Sequence, residues 1–274
     1  MSCELMNVGG ACGRRVRVLR GIVAPVLSIA TVVCAAGADV AAAKAKLATA
    51  SGSAQVSAAA SLRIARSMRN SGNAATAVPI YRELAAGLPA DAPLKIELGE
   101  ALLEARLIDE AIGLFNAAPA SARAQLGLAR AQLELGQPAK ALVFADRAEH
   151  ISPTDTAVLN VRGVVLDRLG RHGEAQTCYR GVIALTPSSV AARSNLALSL
   201  ALIGQFPEAL DILEPIARSA NATARDRQNL AFIYGLKGDS ATARALGEVD
   251  LDPKTAAANT AFLALAHDQL SEAN

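Results

Sequence analysis

GQPAKA at 136–141, GRHGEA at 170–175, GQFPEA at 204–209 and GDSATA at 238–243 are four versions of one segment, each 34 residues after the last. A glycine opens each version and an alanine closes it five residues later. Glycine gives the backbone access to positive φ, and alanine is both the best helix former and the smallest side chain across which two helices can meet. The segment therefore reads as a tight turn leading into a helix that packs closely. It extends upstream: GNAATA at 72–77 keeps both features, while RLIDEA at 106–111 keeps the alanine and puts Arg106 where glycine is expected. A fixed period of this length marks stacked supersecondary units, not a single globular core.

Composition agrees. Of 274 residues 52% are hydrophobic, but sixty-one are alanine and only eight are aromatic, none of them Trp. A β-sandwich, whose strands favour β-branched and aromatic residues, is excluded in favour of an all-α chain.

Registering the chain on this period gives repeats at 58–91, 92–121, 122–155, 156–189, 190–223 and 224–251, within a repeat region of 57–251. Small residues recur at the eighth position (Ala65, Gly99, Ala129, Gly163, Ala197, Ala231) and at the twentieth (Ala77, Ala111, Ala141, Ala175, Ala209, Ala243). The twenty-fourth position carries Tyr81, Phe115, Tyr179 or Leu213, reduced to Ala145 and Gly247 in two repeats. This layout resembles the tetratricopeptide repeat (TPR), a helix-turn-helix unit. The resemblance implies an all-α solenoid, a right-handed superhelix of about six repeats. Each helix A is preceded by an N-cap type: Ser57, Asp91, Ser121, Asp155, Ser189 or Thr223. Pro119 predicts a truncated second helix in the short second repeat. Asp252-Pro253 starts a capping helix within 252–274.

Ahead of the repeats, Arg14, Arg15, Arg17 and Arg20 precede the uncharged run GIVAPVLSIATVV at 21–33, the layout of an export signal within 1–38. Ala36-Gly37-Ala38 offers cleavage before Asp39. Cys34 offers instead the acylated cysteine of a lipoprotein, although Thr31-Val32-Val33 matches that pattern poorly. A retained membrane anchor is the third reading. Residues 39–56 read as an Ala-rich tether. The expected location is periplasmic, with outer-membrane attachment through a lipid if Cys34 is modified. Cys3, Cys12 and Cys34 fall in the leader, leaving Cys178 alone in the body.

The charge balance, 27 basic against 25 acidic residues, becomes 23 against 24 once residues 1–38 are set aside. That excludes a concentrated phosphate-binding surface, and nucleic acid is not expected as a partner. No catalytic, cofactor or metal site is expected: His150, His172 and His267 lack metal-ligand spacing, and no phosphate-binding loop is present. Arg225-Asp226-Arg227 reads as a solvated helix face.

Short helices stacked in series present a helix-lined groove. Its early part would carry Leu62, Arg66, Arg69, Ile96, Glu100, Leu103, Glu104, Arg123, Arg130 and Glu134. Its later part would carry Asn160, Asp167, Arg168, Ser194, Leu198, Leu202, Gln228, Phe232 and Leu236. The charged half would set a partner's register and the apolar half would hold it, unless the C-terminal helix or a second copy covers that half. Asn195 and Asn229 share one repeat position and resemble TPR clamps for a terminal carboxylate. Ser194 and Gln228 stand where such a clamp would want lysine.

The stretch Arg227–Asp239, RQNLAFIYGLKGD, and the run from Asp250-Leu251 through Ala258-Asn259 resemble the end of TadD-type proteins of the tight-adherence (Flp) pilus assembly system. That resemblance implies an exported, often lipidated scaffold acting on protein partners, pilus or secretin assembly components. Another periplasmic TPR scaffold or regulator, or a cytosolic adaptor or co-chaperone if the N-terminus is no signal, fits the same repeats.

Overall fold

The computed structural model describes residues 58–272; the leader, Cys34 and the tether lie outside them. Among the described residues there are thirteen helices and no strands. They are α1 (Ala58–Asn70), α2 (Ala74–Gly87), α3 (Ala92–Glu104), α4 (Ile108–Asn116), α5 (Ala122–Glu134), α6 (Pro138–Ile151), α7 (Thr156–Arg168), α8 (His172–Leu185), α9 (Val190–Leu202), α10 (Phe206–Ala217), α11 (Ala224–Lys237), α12 (Ser240–Gly247) and α13 (Pro253–Glu272). The chain forms two compact units that divide after Val161, within α7. In the first, each helix packs on the next and α3 also meets α5. In the second, α8 to α13 pack in the same succession, with α9 on α11 and α11 on α13.

Local chemistry fixes the ends of these helices. At each turn between paired helices, two backbone bonds cap the first helix: Gly136 N to Leu133 O at 3.0 Å and Gln137 N to Gln132 O at 2.8 Å, with equivalents at Gly72, Gly170, Gly204 and Gly238. This is the Schellman arrangement, and it needs a left-handed residue at its centre. The glycines supply it at φ between +69° and +96°. Arg106 adopts the same geometry at φ +66°, making the same two bonds at 3.1 and 2.8 Å, so the sequence departure leaves the turn intact. Starts of the first helices are held by Asp91, Ser121, Asp155, Ser189 and Thr223, whose side chains accept from backbone N–H groups one turn in. Thr223 forms a full capping box with Asp226. Truncated α4 ends at Asn116, before Pro119.

The small residues of the eighth and twentieth positions are buried, and the twenty-fourth position fills the gap they leave. Phe115, fully buried, lies between Gly99 and Gly127: a Cβ on either would stand 2.7 or 2.5 Å from its ring. Tyr179 uses Gly163 in the same way, at 2.5 Å. Gly127, two residues before the eighth position of its repeat, is a contact that the period does not reveal. Helix α13 closes the second unit, with Leu263 against Gly235 and His267 Nδ1 donating to Leu236 O at 2.9 Å.

Two substitutions separate these causes. Arg106→Gly removes left-handed strain and is expected to stabilise by about 1 kcal/mol, losing only an exposed ion pair to Glu134; Gly170→Ala should destabilise by a similar amount. Gly127→Ala gains about 1 kcal/mol of helix propensity but forces a methyl into a ring that cannot move. A net loss of about 1–2 kcal/mol is expected from the overpacking. Urea unfolding followed by helical circular dichroism measures all three.

Candidate functional site

In the first unit the charged residues of the expected groove pair with one another. Arg66 on α1 donates through Nε and Nη2 to Glu97 on α3, at 2.9 and 2.6 Å, and the Tyr81 hydroxyl donates to the same carboxylate at 3.3 Å. Arg69 Nη1 donates to Glu100 at 2.9 Å, and its Nε lies 3.8 Å from Glu104. Arg123 on α5 returns to Glu100 at 2.6 and 2.8 Å. Arg106 pairs with Glu134, and exposed Arg130 acts on Glu104 through its charge. The arginine beside it holds the Glu97 carboxyl below its ordinary range against the opposing effect of burial. Burial raises that of Glu104, with Arg69 opposing. These charges tie α1 to α3 and α3 to α5. Ile96 and Leu103, expected in the groove, are instead packed into the core of this unit; Asn160 is half-buried on α7.

In the second unit Asp167 gathers three donors: His172 Nδ1 at 2.8 Å, the Tyr179 hydroxyl at 2.8 Å and Ser199 Oγ at 2.7 Å. It thereby joins α7, α8 and α9. Burial, and then the Asp167 charge, push the Tyr179 phenol well above its usual range, so it stays a neutral donor. Beside this junction opens a cavity of about 90 Å³ lined by Val164, Arg168, Asn195, Leu198, Leu202, Arg225, Asn229 and Phe232, with Asp167 and Tyr179. A second, of about 140 Å³, runs between α11, α12 and α13; Gln228, Asn259, Thr260, Phe262 and Leu263 are among its walls. The two adjoin at Arg225, Asn229 and Phe232, which wall both, and together they make up the cleft of this unit.

Of the expected later groove residues, Asp167, Arg168, Leu198, Leu202, Gln228 and Phe232 are brought to this cleft. Leu236 is a correction: it is fully buried beneath α13. Ser194 is buried as well. The sequence reading also missed Arg225. The triplet around it divides three ways: Asp226 closes the capping box, Arg227 holds Asp250 at 2.8 and 2.5 Å, and Arg225 lines the cleft. Its spacing of four from Asn229, one helical turn, was the available signal. Cys178 is buried with Arg162 Nη1 3.3 Å from its Sγ. Among the described residues no group of His, Cys, Asp and Glu is placed to hold a metal ion. No helix among them is long and apolar enough to cross a membrane.

A series of helix hairpins meeting through alanine and glycine, with a cleft lined by first helices, defines a helical repeat scaffold. The family model for the tetratricopeptide repeat matches residues 62–122, 96–156 and 161–222, and the chain belongs to that family. An uncharacterized Sinorhizobium fredii protein, y4yS, is 33% identical over 87 residues, 32% of this chain and 48% of that one; the chain thus spans less than half of this relative. Among solved structures, the thermophilic TPR protein TTC0263 of Thermus thermophilus superposes with a TM-score of 0.59 at 20% identity, covering 65% of this chain and 98% of its own. PilW, a type IV pilus biogenesis factor, does so at 0.57 and 18%, covering 70% and 91%. At these identities the likeness is one of fold.

The paired charges make a pH prediction. Because Glu97 has a depressed folded-state pKa, its stabilisation is fully present above the ordinary carboxylate value of 4.5 and is lost as pH falls through the depressed one. Glu97→Gln should cost about 1–3 kcal/mol at pH 7, with the difference from the parent shrinking at pH 3. Equal differences at both pH values in urea unfolding would contradict it.

Proposed function

We propose that this chain is a non-enzymatic, protein-binding scaffold of the cell envelope that assists assembly of a tight-adherence pilus or its outer-membrane secretin. The observation that carries the binding reading is the contrast between the units. Charges of the first are spent on one another, whereas the second presents an apolar cleft in which Arg225 and Asn229 have no hydrogen-bonding partner among the described residues. The pilus reading is supported by the resemblance of the Arg227–Asp239 stretch and the run after Asp250 to TadD-type proteins. Export through residues 1–38 belongs to the same proposal, with cleavage after Ala38 or lipidation at Cys34 placing the repeats in the periplasm.

The cleft dictates how to test this. Leu202 and Phe232 are each 5% exposed, so polar residues there would open the core, whereas half-buried Leu198 and exposed Arg225 can be changed safely. A photo-crosslinking residue at position 198 is expected to capture a pilus or secretin-assembly component in the native host, and Arg225→Glu to abolish that capture. Deletion is expected to remove surface pili and secretin multimers. Loss of pili with normal secretin multimers would reject the secretin version, and pili retained on deletion would reject the pilus role.

A further inference from the structure

The cleft of the second unit has a chemical sign. Asp167 is the only carboxylate among its lining residues, and its oxygens already accept from three donors. Arg225 is exposed, lines both cavities and has no ion pair or hydrogen bond among the described residues. Asn229, one turn further along α11, is 5% exposed, shared by both cavities, and its amide has no hydrogen bond there either. Its amide atoms keep contact with solvent in the cleft, so a ligand can take the place of water on them.

The two groups select different chemistry. A guanidinium offers only donors in a planar fork, which matches a carboxylate. An amide offers donors and an acceptor together, which matches a peptide unit whose own N–H and C=O are open. Such a unit exists in an extended segment and not in a helix, where those groups bond internally. Apolar surface lies on either side of the pair: Leu198 and Leu202 in one cavity, Phe262 and Leu263 in the other. A chain ending at Arg225 would fill only one cavity. A chain passing through would fill both.

We propose that this cleft binds an extended protein segment in which an internal Asp or Glu stands between two apolar residues. Its carboxylate pairs with Arg225, its main chain with Asn229, and its apolar side chains occupy the two cavities. Since side chains two apart share one face of an extended chain, the pattern is apolar-x-acidic-x-apolar. The inference rests on the protein-binding reading and adds the partner's chemistry. It also makes α13 part of recognition, because that helix walls one cavity.

Fluorescence anisotropy of the full chain with labelled serine-background peptides tests it. An amidated peptide with leucines two residues either side of a glutamate is expected to bind. Replacing glutamate by glutamine should weaken binding at least about ten-fold, and Arg225→Gln should weaken the glutamate peptide equally while leaving the glutamine peptide unchanged. A glutamine peptide ending in a free carboxylate should bind no better than its amide. Several results would overturn the proposal: glutamate and glutamine peptides within about two-fold of each other, tighter binding of the free-carboxylate peptide, insensitivity to Arg225→Gln, or no binding of the glutamate peptide at about 1 mM. Failure is separable from that of the scaffold reading. A partner captured at position 198 through a segment without an acidic residue would refute only this inference, whereas capture of nothing at the cleft would refute both.

Discussion

Everything in this molecule depends on how closely two short helices can approach. Helices of eight to fourteen residues, the length of every repeat helix here, are marginal in water. They persist because alanine or glycine at the eighth and twentieth positions lets paired backbones come near enough for a ring to be held from two sides. Phe115 against Gly99 and Gly127 shows the constraint at its tightest, since neither glycine has room for a methyl group. The alanine content is thus the means by which the chain packs with so few large side chains.

The two units use the same backbone plan for opposite ends. In the first, arginines and glutamates on successive first helices satisfy one another, and the face they occupy becomes cement between repeats. In the second, one carboxylate, Asp167, absorbs the local donors of three helices, and Arg225 is left over. A charged surface is informative about binding only after its internal pairs are subtracted.

What the sequence revealed follows from range. Turns and caps depend on residues within five positions, so the period exposed them, even at Arg106, where the φ required by the turn prevailed over side-chain preference. The first-helix and second-helix contact positions repeat every 34 residues and were equally legible. Gly127, Arg225 and Leu236 were not. Each depends on a contact outside the repeat: Gly127 meets Phe115 of the preceding repeat, and α13 buries Leu236 and builds one side of the cleft. No periodic signal announces a helix that occurs once.

That single helix has a thermodynamic corollary. A wall that stands outside the repeats is held by its own contacts with α11 and α12, so occupancy of the cleft and docking of α13 are linked equilibria. A ligand present at a hundred times its dissociation constant would add about 2.7 kcal/mol to the docked form. Protection of the last helix from proteolysis would then act as a gauge of whether the scaffold is loaded.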